Sequence, residues 1–207
     1  MGDTAIKTSP QSEDANALRI AAYELEHPSG LINVFYNAKA DMPSYVAAIR
    51  NSSVGANKHH ATIVNKSNRV IRIRKIKIMA NITAAITGTS LIMLSVQGLQ
   101  TPFPTGGTAI TPRKLNTSFQ NLPTTPGAIE VIAQPAANIN VAANYFLDEG
   151  TLAIEEAITT PNTQIELLKK ESELSCLILN QDQGITIQQG AVVGAGAINI
   201  YIYWTLD

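Results

Sequence analysis

The last strand-like phrase of the chain, AINIYIYWTL (197–206), fits only one kind of secondary structure. Ile198, Ile200, Ile202, Trp204 and Leu206 fall on one side, and Asn199, Tyr201, Tyr203 and Thr205 on the other. An apolar residue at every second position is the period of a strand and would be spread around a helix. A strand with one apolar face must bury it against a second layer, so the chain needs a sheet and something to cover it.

A second phrase, VIRIRKIKI (70–78), repeats the pattern with cations in the polar places. Ile71 and Ile73 alternate with Arg72 and Arg74, and Ile76 and Ile78 flank Lys77. Between them the alternation slips, because Lys75 follows Arg74 directly. A one-residue slip turns the next apolar side chains to the wrong face unless an extra residue is absorbed, which predicts a β-bulge at Arg74–Lys75.

Similar runs follow the length of the chain: LINVFYN, SYVAAI, ATIVN, AIEVIA, NINVAANYFLD, TLAIEEAI, TQIELLKK, LSCLILN and GITIQ. ATIVN and VIRIRKIKI read as a hairpin turning at Lys66–Asn68. TSLIMLSVQGL is apolar on both faces, as a central strand covered on two sides would be. GAVVGAG before the last strand implies a close backbone approach. Residues 100–127, with five prolines, form a long excursion of the kind usually given to function or interfaces. Many short strands without βα alternation predict a mainly β, antiparallel β-sandwich or jelly roll.

The N-terminal part reads differently. Residues 1–11 are small and polar, an arm. SEDANALRIAAYELEHPSG then predicts a short helix, capped by Ser12 and ended by Pro28 and Gly30. Leu18, Ala21, Ala22 and Leu25 form its narrow apolar stripe, which needs a partner surface, either its own domain or another molecule. The expected division is 1–30, arm and helix, and 31–207, sandwich.

Charge is unevenly placed. Between Asp41 and Glu130 there is no acidic residue and ten Lys or Arg; from Glu130 onward there are ten acids and only Lys169 and Lys170. Either strands of the two halves pair and match their charges, or the basic section faces an acidic partner. Only 15% of residues are charged, against roughly 25% in ordinary globular domains, a makeup common where a protein buries surface against copies of itself.

No catalytic constellation emerges. His59 and His60 are adjacent and point to opposite faces of a strand, so they do not share a metal. The same objection removes Glu155–Glu156 as a catalytic pair. Cys176 is alone, inside an apolar run, and reads as a small buried hydrophobe. No cofactor is expected. Nucleic acid is disfavoured because the cations of 69–77 alternate with isoleucine instead of aromatics, and no aromatic lies between Tyr45 and Phe103. No stretch approaches the roughly 18 apolar residues of a membrane helix, and no secretory signal opens the chain, so it is expected in the cytosol when made.

The order GANKHHATIVN, VIRIRKIKI, TAAITGTSLIML, GGTAITPRKLNTS and GITIQQGAVVGAGAINIYIYW, roughly Ser53 to Asp207, resembles structural proteins of tailed bacteriophages that sit on or project from the head. The resemblance implies a non-enzymatic virion protein on the capsid exterior, a decoration or cement protein. It implies a homotrimer that clamps the major capsid protein at capsomer junctions. A receptor-binding or fibre-knob module is the alternative, disfavoured because no heptads or long shaft precede the domain. A lectin-like domain would need an exposed Trp, and Trp204 lies on the apolar side. The interface candidates are Arg72, Arg74, Lys75 and Lys77 for an acidic partner, Tyr201 and Tyr203 for a seam between copies, and Leu18 and Leu25 for docking of the helix.

Overall fold

The computed structural model describes residues 24–26, 32–34, 43–81, 86–117, 121–122, 128–155, 163–169 and 176–206, with backbone alone at 24–26, 32–34 and 142–145. The chain divides into two units, Met1–Met42 and Pro43–Asp207. The boundary therefore falls twelve residues beyond the one expected from sequence.

In the first unit, β1 (Glu24–Glu26) pairs antiparallel with β2 (Ile32–Val34). Glu24–Glu26, with Leu25, was expected at the end of a helix and is a strand instead. Three residues are too few for periodicity to separate the two, and pairing with Ile32–Val34 decides it. The rest of the expected helix, including Leu18, lies outside the described residues. Of LINVFYN, Ile32–Val34 forms β2 in this ribbon, and the rest of the phrase lies outside the described residues.

The second unit holds β3 (Ser44–Ser53), β4 (His59–Asn65), β5 (Ile71–Ala80), β6 (Thr89–Leu99), β7 (Thr108–Ala109), β8 (Arg113–Lys114), β9 (Ile129–Ala133), β10 (Val141–Glu155), β11 (Gln164–Leu167), β12 (Leu177–Leu179), β13 (Gln183–Gln189) and β14 (Ala197–Leu206). They form two antiparallel sheets. The first has the order β10-β6-β13-β4-β9-β7; the second has β11-β5-β14-β3-β8, with β12 also paired to β5. No helix occurs among the described residues.

The inward sides of both sheets meet in one core. Ile71, Ile73, Ile76, Ile78, Ile200, Ile202 and Trp204 come from the second sheet, and Ile63, Ile92, Leu94, Ile185 and Leu152 from the first. Each such side chain contributes about 1.5–3 kcal/mol by leaving water. Trp204 stacks on Tyr45 with ring centroids 6.0 Å apart, so the one tryptophan is core, as its place in the alternation required.

β5 and β14 carry the expected bulge. Tyr203 pairs with Lys75 and Trp204 with Ile73, so Arg74 is the extra residue. Because it is absorbed there, every isoleucine of β5 stays buried on both sides of the slip.

ATIVN and VIRIRKIKI do not form a hairpin: β4 lies in the first sheet and β5 in the second. The segment between them arches across the sheets around Asn65. Its side-chain Nδ2 donates to Arg69 O (2.7 Å) and Leu179 O (2.9 Å), while Oδ1 accepts from Ser67 N (3.0 Å) and Ser67 Oγ (2.6 Å). An arch so satisfied can replace the ladder that a hairpin would have offered.

The excursion also crosses between sheets. β7 pairs with β9 at the edge of the first, and β8 with β3 at the edge of the second. Gly107, at a φ of 79°, lies so close to β9 that a Cβ would collide with the Ala133 and Gln134 carbonyls.

Three further expectations change. NINVAANYFLD and TLAIEEAI form one strand, β10, with register irregularities near Phe146. β6 is covered on both faces only in its second half, since Leu91 and Met93 are exposed. Cys176 is half-buried, just ahead of β12.

Candidate binding face on the second sheet

With the isoleucines of β5 and β14 turned into the core, the alternate residues must face outward. Register then fixes which of them are neighbours. Tyr203 lies opposite Lys75 on β5 and Val46 on β3, and Val46 lies opposite Arg113 on β8. One row across the sheet therefore reads Arg113, Val46, Tyr203, Lys75. The next reads Ala48, Tyr201, Lys77, Glu166. A third places Thr205 between Ser44 and Arg72, with Ile178 of β12 beyond.

The basic stripe and the tyrosine pair, singled out separately from sequence, thus share one surface. Lys75 Nζ sits 5.3 Å from the centre of the Tyr203 ring, within cation–π range. The same ammonium is 3.3 Å from Glu166 Oε1, and Lys169 Nζ is 3.4 Å from Glu166 Oε2. The hydrogen bond from Lys75 holds the Glu166 carboxyl below the usual range, with Lys169 adding to the effect. These pairs are partly exposed and contribute modestly to stability, about 0–1 kcal/mol each. Lys75 thereby meets both the Glu166 carboxylate and the Tyr203 ring.

Arg72, Arg74, Lys77, Tyr201 and Tyr203 are all half-buried, their stems along the sheet. Arg113 is exposed. In sequence it stood 36 residues from Lys77, in another segment; strand pairing brings it to the same face. Glu166, Val46 and Ala48 were not singled out at all. Only cross-strand register identifies them, and register is not written in any local pattern. Of the remaining candidates, Leu25 belongs to β1 in the first unit, and Leu18 is outside the described residues.

The two histidines have separate surroundings. His59 Nδ1 is 2.9 Å from Thr186 Oγ1 on β13. His60, fully buried, has Nδ1 2.8 Å from Ser52 Oγ and Nε2 3.2 Å from Gln189 Oε1. Gln189 donates through Nε2 to Val192 O and accepts Gly55 N at Oε1, which fixes its amide. His60 therefore carries its proton on Nε2 and accepts from the serine hydroxyl at Nδ1. Burial pushes its pKa down to about 4, and burial lowers that of His59 as well. Among the described residues no group of three His, Cys, Asp or Glu is placed to hold a metal ion. Nor is any helix among them long and apolar enough to cross a membrane.

No family model matches the chain, and no relative is found among curated proteins.

Proposed function

We propose that this chain is a virion structural protein that decorates a phage capsid, using the outer face of the second sheet to hold an acidic partner surface. The observation that carries the reading is the contiguity of Arg72, Lys75, Lys77 and Arg113 with Tyr201 and Tyr203 on one sheet face. Cations give attraction and orientation; tyrosines add rigid apolar area with a polar tip, the combination enriched in interface cores.

We take the fold to be a β-sandwich of jelly-roll type. The order β3-β14-β5 followed by β11 or β12 in one sheet, and β4-β13-β6-β10 in the other, supports this reading, since two interlocked Greek keys would give it. That architecture recurs in capsid proteins and lectins alike, so it supports a virion role without choosing the partner. The partners proposed are copies of this chain, in a homotrimer, and the major capsid protein at capsomer junctions. Repetition over a lattice lets each contact be modest while the whole adheres firmly.

The test is co-sedimentation with emptied heads across a salt series, comparing the natural chain with one in which Arg72, Arg74, Lys75 and Lys77 are Gln. The natural chain is expected to pellet with heads and to release as salt rises. The variant is expected to bind more weakly and with a flatter salt dependence. Equal binding by both at every salt concentration overturns the role of this face. Binding to host cells in place of heads transfers the face to a receptor-binding module.

A further inference from the structure

His60 stands where the two sheets meet at one end, near the last residues of β3 and the first of β4. Its ring Nδ1 meets Ser52 Oγ (2.8 Å), so a strand of the first sheet reaches a strand of the second. Gln134, the residue after β9, closes on the same pair. Its N donates to His60 O (2.9 Å) and its Nε2 to Ser52 Oγ (3.4 Å). On the far side of the ring, Gln189 Oε1 accepts from Nε2 (3.2 Å) and from Gly55 N (2.9 Å). The Gln189 amide in turn donates to Val192 O (2.9 Å). One imidazole and one side-chain amide thereby hold both the β3–β4 turn and the β13–β14 loop. The two connections also hold each other, through Val54 N on Gly196 O (3.1 Å) and Asn57 N on Gly190 O (2.9 Å).

This network has room for one proton on the ring. Nε2–H serves Gln189, and Nδ1 takes the Ser52 hydroxyl hydrogen. A proton on Nδ1 would set a donor against a donor. Ser52 is fully buried, and its other partner, Gln134 Nε2, donates as well, so the displaced hydroxyl hydrogen finds no acceptor among these contacts. Nor does charge give relief. Toward the ring β3 presents Ser52, β13 Gln189 and the end of β9 Gln134, all neutral, while Arg50 of β3 is exposed. The acid of β9, Glu130, lies opposite Val64, four residues along β4, and pairs with Lys66. β6, β13, β14 and the β13–β14 loop carry no charged residue. The charges felt at His60 are those of Lys58 and His59, which oppose another. Lys58 is itself tied down, its ammonium donating to Ser53 O and Ser53 Oγ, both at 2.7 Å.

Releasing the two connections uncovers little apolar surface. Ala56, Ala191 and Ala195 are already exposed, as are Val192 and Val193 at the tip of the loop, at 62% and 79%. The isoleucines of β5 and β14 pack in the core without them. Segments with so few buried contacts are the ones that open alone. We infer that His60 is a proton-operated latch: a second proton on its ring frees the β3–β4 turn and the β13–β14 loop while the core stays folded. With the latch closed, burial keeps the ring neutral down to about 4; once open to water, the ring takes the proton near its ordinary 6.5. The closed form is therefore whole above 6.5 and weakens as pH falls. Its open fraction rises about tenfold per pH unit until about 4.

The experiment is amide hydrogen exchange on the full chain at pH 7, 5.5 and 4.5, corrected for intrinsic rates, with an NMR titration of the His60 ring beside it. Residues 54–58 and 190–196 are expected to open roughly fifty-fold more at pH 4.5 than at pH 7, while 71–80 and 198–206 keep their protection. His60→Gln is expected to remove the difference, and His59→Gln to leave it in place. Should His60→Gln not fold, the ring titration decides. A His60 signal that titrates in step with exposure of the two segments supports the latch, and one that titrates while they stay closed overturns it. Equal protection of both segments at all three pH values also overturns it. So does a loss shared with 71–80 and 198–206, which is unfolding of the whole unit, or an acid response that survives His60→Gln.

Discussion

Lys75 stands over the ring of Tyr203 at 5.3 Å from its centre while its ammonium also meets Glu166. Three strands, β5, β14 and β11, are thereby tied at one point on the outer surface. The arrangement fixes a cation at the middle of the candidate face at the expense of its freedom to swing.

Lys75→Met is expected to leave stability within about 1 kcal/mol of the natural chain, since the ion pair and the cation–π contact are partly exposed. Head binding is expected to fall several-fold, with a reduced salt dependence. Denaturant unfolding and co-sedimentation, run on the same preparation, separate the two effects. A large loss of stability with unchanged binding would reverse the assignment.

Deleting Arg74 tests the bulge. The shortened sequence, Ile71-Arg72-Ile73-Lys75-Ile76-Lys77-Ile78, alternates without a break, so β5 regains a regular ladder with its isoleucines still inward. The expected loss of stability is about 1 kcal/mol. Deleting Lys77 instead sends Ile78 and Ala80 outward and is expected to cost more than about 4 kcal/mol. Urea midpoints of the two deletions, set side by side, decide; equal losses would mean that Arg74 is not the inserted residue.

Asn65→Ala removes the four hydrogen bonds that shape the arch between β4 and β5. Buried groups left without partners cost about 1–3 kcal/mol each, so a total near 3–4 kcal/mol is expected after partial rearrangement. Asn65→Asp, which keeps the acceptor and loses the donor, is expected to fall between. Thermal melting of both variants checks the order.

His60 predicts a pH dependence. Folded, it stays neutral down to about 4, because burial opposes the charge and Lys58 and His59 nearby oppose it further. Unfolded, it takes a proton near its ordinary 6.5. The stability due to keeping it neutral is whole above 6.5, declines as pH falls below that value, and is gone by about 4. The gap corresponds to about 3 kcal/mol. His60→Gln is expected to flatten this decline, measured as the difference from the natural chain in urea at pH 7, 5.5 and 4.5. Parallel curves would exclude the histidine as the cause.

What could be seen in the sequence was whatever is local. Period two in β5 and β14 named the buried isoleucines and the outward cations and tyrosines, and the slip at Arg74–Lys75 gave the bulge. The arch at Lys66–Asn68 looked like a hairpin because its turn residues suit either; the difference lies in Leu179, 114 positions from Asn65, whose carbonyl completes the asparagine's bonds. Glu166 and Arg113 belong to the candidate face for the same non-local reason. The apolar tip at Val192–Val193 was read only as a tight approach. Its glycines announced the approach, but nothing in AVVGAG says which side chains remain uncovered.

The excursion after β6 has an effect on growth as well as on shape. Within seven residues, Thr108–Lys114, it lays a two-residue strand on β9 and another on β3, finishing both sheets on the same flank. A long bare edge would recruit strands from other molecules without limit, the path to fibres. On this flank a clasp from the chain itself, with Pro112 between its two halves, covers Ile132–Ala133 of β9 and Tyr45–Val46 of β3 and so shortens the edge left open. The shorter the open edge, the less room there is for strand-by-strand addition of another molecule.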